Sequence, residues 1–142
     1  MTKLRVLDLF SGIGGFSLGL ERTGGFETVA FCEIDPWARK VLTKNFPGVP
    51  INENVKTLNP QDYGRIDLIT GGYPCQPFSH AGERKGLNDE RHIFPYIAEA
   101  ISILRPSYVI LENVRGHLSL GLKEVLACLT SIGYDARWQL VR

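Results

Sequence analysis

LRVLDLFSGIGG, residues 4–15, decides the fold. Its first half is a short apolar run, the pattern of a strand buried on both faces. Its second half is a tight loop with glycines at 12, 14 and 15. FSLGLERTG (16–24) then has helical spacing and stops at Gly24–Gly25. Strand, glycine turn and helix together open an α/β unit, and the rest of the chain repeats it. ETVAFCEID (27–35) is a second strand. Asp35 suits a helix cap and Pro36 a first helical position, so a helix runs through PWARKVLTKNF to Pro47. INENV (51–55) fits a short third strand, Asp62–Arg65 a turn, and IDLITGG (66–72) a fourth strand. IFPYIAEAISILRP (93–106) is a helix with Pro106 just past its end, and SYVILENV (107–114) a fifth strand. LKEVLACLTSIG (122–133) is an amphipathic helix closed by Gly133, and YDARWQLVR (134–142) alternates like a sixth strand. Strands alternating with helices predict an α/β architecture, a mostly parallel sheet with helices on both faces.

Bulk properties narrow the class. The 142 residues fit one domain, 44% hydrophobic and 22% charged. A formal charge of +1 gives no bulk signal for nucleic-acid binding, though a local basic patch remains compatible with it. No apolar run is long enough to cross a membrane, and residues 1–10 lack a signal-peptide layout. Cys32, Cys75 and Cys128 are odd in number and widely spaced, without C-x-x-C. That argues against a zinc site or a disulfide framework and fits a reducing cytoplasm. His80, His92 and His117 form no metal set.

In parallel sheets, function collects at the carboxyl ends of the strands. Four unusual segments fall there: FSGIGG, EID, GGYPCQPFS and ENV. FSGIGG departs from the dinucleotide fingerprint, because Ser17 stands where its third glycine would be. An ordinary strand-to-helix turn would also account for the loop. Glu33, ending the second strand, is placed to accept hydrogen bonds from ribose hydroxyls, and with the loop it points to an adenosine-type ligand. Phe10 suits either stacking on a base or core packing.

The long loop 73–92 carries Cys75 between Pro74 and Pro77. A free thiol is only about 3% thiolate at neutral pH, so catalytic use calls for a cationic neighbour such as Arg84, Lys85 or Arg91. Cys32 and Cys128 lie within apolar patterns and read as inert. Glu112, if buried, would have a raised pKa and hold a proton opposite the thiol. The alternative is a plain cap or salt bridge.

LDLFSGIGGFSLGLE, CEID, GGYPCQPFS and LENV occur in that order over nearly the whole chain. Together they resemble the motifs of the DNA cytosine C5-methyltransferases. The resemblance implies a Rossmann-like S-adenosylmethionine-dependent methyltransferase fold. It implies a cofactor site of Phe10, Ser11, Gly12, Ile13, Gly14, Gly15, Glu33, Ile34, Asn54 and Val55. Ile34 falls where many members carry an aromatic, and Asn54 where many carry an aspartate. It implies double-stranded DNA as partner, with the target cytosine flipped out of the duplex. Cys75 would attack C6, Glu112 would hold or protonate N3, and Asn113 would support the site. Gln76, Ser79, Arg84, Lys85 and Arg91 would belong to the loop that closes over DNA.

In the family a Gln-x-Arg-x-Arg motif, a target-recognition domain, two last motifs and a seventh strand between the fifth and sixth follow. None is in this sequence, so the chain reads as an amino-terminal part of the catalytic domain, truncated at its carboxyl end. It is expected to be weak or inactive alone, and to need a complementing carboxyl-terminal chain or to self-associate through its sheet edge. A non-catalytic cofactor-binding subunit of a split enzyme and an RNA cytosine methyltransferase are the alternatives.

Overall fold

A computed structural model describes residues 2–74, 93–118 and 121–142. Among these residues five parallel strands form one sheet: β1 (Leu4–Leu9), β2 (Phe26–Cys32), β3 (Ile51–Asn52), β4 (Leu68–Gly72) and β5 (Tyr108–Glu112), in the order β3-β2-β1-β4-β5. Between them run α1 (Gly15–Arg22), α2 (Pro36–Asn45) and α3 (Phe94–Leu104), with α4 (Leu122–Ser131) after β5. Short 3-10 turns cover Pro60–Tyr63 and Arg115–Leu118.

Local chemistry sets several boundaries. Asp35 Oδ1 accepts from the Trp37 and Ala38 amides at 2.8 and 3.3 Å, and Pro36 fills the first helical position of α2. Asn59 caps the first 3-10 turn the same way, through the Gln61 amide at 3.2 Å. That turn replaces the simple one expected at 62–65.

Alternation along the central strands separates two faces. Leu7 and Leu9 of β1 and Ala30 and Cys32 of β2 share a core with Ile97 and Ile101 of α3 and Val125 and Leu129 of α4. Phe31 points the other way and packs with Leu42 of α2 and Phe46. Asp8 also points away from the larger core and meets Ser17 of α1. So α1 and α2 cover one face and α3 and α4 the other, as the strand–helix alternation requires. β1 is central, and its buried residues Val6 to Leu9 are all hydrophobic except Asp8, which is 1% exposed.

Two expectations fail. The third strand contributes two residues, not five: only Ile51 and Asn52 pair with Phe31 and Cys32. Residues 134–142 form no strand. Tyr134 is tied down: its hydroxyl donates to the Pro106 carbonyl at 2.7 Å and its ring lies 4.9 Å from the Arg105 guanidinium. From Asp135 on, every residue is exposed. The alternation is real, but a strand needs a partner ladder, and a groove of about 280 Å³ lies between this segment and β5, whose outer edge pairs with no strand among the described residues.

Candidate active site

Because every pairing is parallel, all five strands deliver their carboxyl ends to one rim. Leu9 is level with Cys32 on one side and Gly71 on the other, and Gly72 is level with Glu112. The rim therefore brings together the glycine loop, Glu33, the Gly72–Tyr73 exit and Glu112–Asn113. Chain order reverses between β1 and β4, the crevice where such sheets bind ligands.

The glycine loop is held from below. Ser11 donates its hydroxyl to the Asp8 carbonyl at 2.6 Å, and its amide donates to the Cys32 carbonyl at 3.2 Å. Gly12 and Gly14 sit at φ 55° and 92°, the left-handed region that glycine enters without strain. Phe10 is also left-handed, at φ 53°, and its ring packs partly against the core. A Cβ on Gly14 would lie 2.7 Å from Phe46, so that glycine lets the loop settle onto α2. A Cβ on Gly12 or Gly15 would meet nothing within 4 Å. Those two present open backbone, the approach a ligand phosphate, ribose or amino acid moiety needs.

Glu33 ties this loop to the next. Its Oε1 accepts from the Gly12 amide at 2.7 Å and its Oε2 from the Asp35 amide at 2.8 Å. Each oxygen keeps a lone pair, so the carboxylate can still take two hydroxyls while its position is fixed. The Arg39 guanidinium donates to the Glu33 and Ile34 carbonyls at 3.1 and 2.6 Å and steadies the same corner. Ile13 and Ile34 flank it and are 55% and 67% exposed. Asn54 turns its amide oxygen to the Lys56 amide at 2.9 Å. Val55 is buried in the core, leaving only its backbone for a ligand. The group thus fits an adenosine-type ligand: open backbone, a preset carboxylate and apolar flanks.

Beneath it lies a feature the sequence hid. Asp8 accepts from Ser17 Oγ at 2.7 Å and from Thr70 Oγ1 at 2.9 Å, joining β1, α1 and β4. Burial raises its carboxyl above the ordinary 3.8, and the two hydroxyls partly offset that. Ser17, the apparent departure from the glycine pattern, is Asp8's partner. An acid inside an apolar run was the available signal.

Glu112 is exposed at the end of β5. Its side chain lies over the neighbouring strand: a Cβ on Gly72 would sit 2.9 Å from Oε2. Asn113 donates from Nδ2 to the Tyr73 carbonyl at 2.8 Å, linking the two strand ends. Cys75, Gln76, Ser79, Arg84, Lys85 and Arg91 lie outside the described residues. Burial, with Glu33 adding to it, pushes the Cys32 thiol up to about 12, in keeping with an inert core cysteine. No group of three potential metal ligands gathers among the described residues. Likewise no described helix is long and apolar enough to cross a membrane.

Residues 4–142 match the family of C-5 cytosine-specific DNA methylases. The chain is 38% identical to the Type II methyltransferase M2.BsuMI of Bacillus subtilis over 134 residues, 91% of this chain and 34% of that protein. It is 39% identical to the Type II methyltransferase M.NgoMIV of Neisseria gonorrhoeae over 140 residues, 95% of this chain and 45% of that protein. Among solved structures it resembles the Dnmt2 methyltransferase of S. pombe, with a TM-score of 0.78, 29% identity, and coverage of 94% of this chain and 43% of that one. The chain therefore spans less than half the length of these relatives. With that match over nearly its whole length and a parallel sheet to go with it, the chain belongs to the C-5 cytosine-specific DNA methylase family.

Proposed function

We propose that this chain carries the cofactor site and the reacting groups of a DNA cytosine C5-methyltransferase. The observation that carries the reading is the Glu33 carboxylate, fixed by the Gly12 and Asp35 amides beside open glycine backbone. Glu33 would take the ribose hydroxyls of S-adenosylmethionine. Phe10, Ile13 and Ile34 would flank the adenine, and the loop from Ser11 to Gly15 would lie along the rest. Asn54, with its oxygen already accepting one amide, would add a second bond to the adenine amino group, and Val55 would contribute backbone. When bound, S-adenosylmethionine supplies an electrophilic methyl group.

Cys75 would attack C6 of a cytosine flipped out of duplex DNA, forming a C6–S bond and pushing the ring's electrons toward N3 and C5. Glu112 would stabilise or protonate N3. After methylation, loss of the C5 proton and of the thiol would restore the ring. Asn113 would hold the two strand ends in place. Gln76, Ser79, Arg84, Lys85 and Arg91 are the residues proposed to meet DNA, and the bacterial relatives favour a cytoplasmic setting.

The outer edge of β5, unpaired among the described residues, and the groove beside it support a further part of the reading. They suit a complementing carboxyl-terminal chain, or self-association, that completes the sheet. Alone, the chain would then bind cofactor weakly and turn over little.

The test has two arms. Calorimetry with S-adenosylmethionine should show binding that Glu33→Ala reduces about tenfold or more, the loss expected for charge-assisted hydrogen bonds. DNA containing 5-fluorocytosine should trap a covalent adduct when S-adenosylmethionine and a complementing half are present. An adduct that survives Cys75→Ser, or none at all with the complementing half, overturns the mechanism.

A further inference from the structure

The ends of β4 and β5 are joined by a buried polar pair with no role in the chemistry proposed above. Tyr73 follows β4 and His117 lies in the 3-10 turn after β5; each is 6% exposed. The Tyr73 hydroxyl is 2.6 Å from His117 Nε2, across a gap of 44 residues in sequence. The surrounding bonds converge on the same place. Asn113 donates to the Tyr73 carbonyl at 2.8 Å and accepts from the Val114 amide at 2.8 Å. The His117 amide donates to the Val114 carbonyl at 2.9 Å. The Tyr73 ring packs 5.7 Å from Phe94 and meets His117 edge-on at 5.4 Å.

A hydroxyl and an imidazole lose hydration when buried, and their mutual bond offsets that loss. A phenylalanine at position 73 would keep the ring contacts. What the hydroxyl adds is direction, because a hydrogen bond weakens steeply away from its preferred distance and angle. The link therefore fixes one separation: that between the chain leaving β4 and the segment leaving β5. Glu112 stands between them, its carboxylate over Gly72. Tyr73 is two residues from Cys75 in the sequence.

We propose that Tyr73 and His117 are positioning residues, which with Asn113 set the spacing between Glu112 and the chain that continues from Tyr73. Either tautomer of His117 serves, since the hydroxyl can donate to Nε2 or accept from it. The inference rests on the reading of Cys75 and Glu112 as the reacting pair. A displacement of about 1 Å between reacting groups costs up to roughly a hundredfold in rate, so a small loss of direction is enough to matter.

The test uses the whole chain with a complementing carboxyl-terminal half, S-adenosylmethionine and 5-fluorocytosine DNA. It reads the adduct rate at saturating DNA, the cofactor affinity and the melting temperature. Tyr73→Phe, which preserves the ring, should slow adduct formation about 10- to 100-fold while cofactor affinity stays at the wild-type value. His117→Ala should do the same, and His117→Gln, which returns a polar group near Nε2, should recover most of the rate. The inference fails if Tyr73→Phe traps DNA as fast as wild type. It also fails if cofactor affinity and adduct rate fall together, or if His117→Gln recovers stability without rate. A wild-type chain that forms no adduct sinks the Cys75 reading, and this inference with it. A wild type that traps beside a Tyr73→Phe that traps equally well sinks this inference alone.

Discussion

Asp8 and Thr28 show how differently two buried polar side chains weigh on the same sheet. Asp8 is satisfied by Ser17 and Thr70, and taking it to Ala strands both hydroxyls, at a cost of roughly 1–3 kcal/mol. Asn keeps the shape and both bonds, one of them reversed, because either hydroxyl can rotate to accept. The substitution therefore isolates the titration. Burial raises the folded-state pKa of Asp8 above 3.8, so from near pH 3.8 up to that raised value the folded chain holds more protons than the unfolded one. Within that window stability falls as pH rises, and the penalty is fully present above it. Denaturant titrations across the acid range should show a shallower loss for Asp8→Asn; an unchanged slope would assign the pH dependence elsewhere. Thr28 is the opposite case. Its Oγ1 is buried and finds no partner among the described residues. Thr28→Val keeps the branched shape that suits a strand and removes the orphan hydroxyl. It should raise stability by about 1 kcal/mol, measured by chemical denaturation, and a loss would show that the hydroxyl has a partner after all.

Among the elements, the end of β4 separates folding from chemistry. Gly71 and Gly72 are adjacent, yet a Cβ meets ordinary contacts near 3.6 Å at the first and the Glu112 carboxylate at 2.9 Å at the second. That carboxylate is the free end of a flexible side chain and can move aside. Gly72→Ala should therefore leave the melting temperature near wild type, while adduct formation with 5-fluorocytosine DNA falls about tenfold or more through displacement of Glu112. Gly71→Ala serves as the control that keeps the rate; equal rates for both variants would remove Glu112's position from the argument. The same elements show which signals a sequence carries. The Asp35–Pro36 start of α2 is local chemistry, and it is legible because a cap and the amides it serves lie within three residues. The rim was legible because parallel strands place their carboxyl ends together. The turn at Arg115–Leu118 was not, since His117 is anchored by a tyrosine 44 residues away. The role of Ser17 was hidden for the same reason: its partner is Asp8, on another element. Glu112's exposure was equally out of reach, because burial depends on what the rest of the fold places around a strand end.

For the whole molecule the open question is the sheet's edge, where the alternation of 134–142 promised a strand and the structure gives none. β5 is the last strand in the order, and no described strand pairs with its outer side. On β5, Tyr108 and Ile110 are 65% and 41% exposed, and the groove that Tyr108 lines is also lined by Trp138 and Leu140, 59% and 52% exposed. A formal charge of +1 provides little repulsion between copies. An unpaired edge with apolar flanks is the feature that draws strands together, and a lysine on it is the residue that blunts such pairing. In sedimentation velocity the chain should associate as concentration rises. Ile110→Lys, on a strand whose other face carries the core contacts of Val109 and Leu111, should shift it toward monomer without lowering the melting temperature. A complementing carboxyl-terminal half should compete with that association, because both would use the same edge. If wild type and Ile110→Lys sediment alike at every concentration, the edge is not a self-pairing surface. Competition by the complementing half would then have to be measured against cofactor affinity instead, where completing the sheet should strengthen binding.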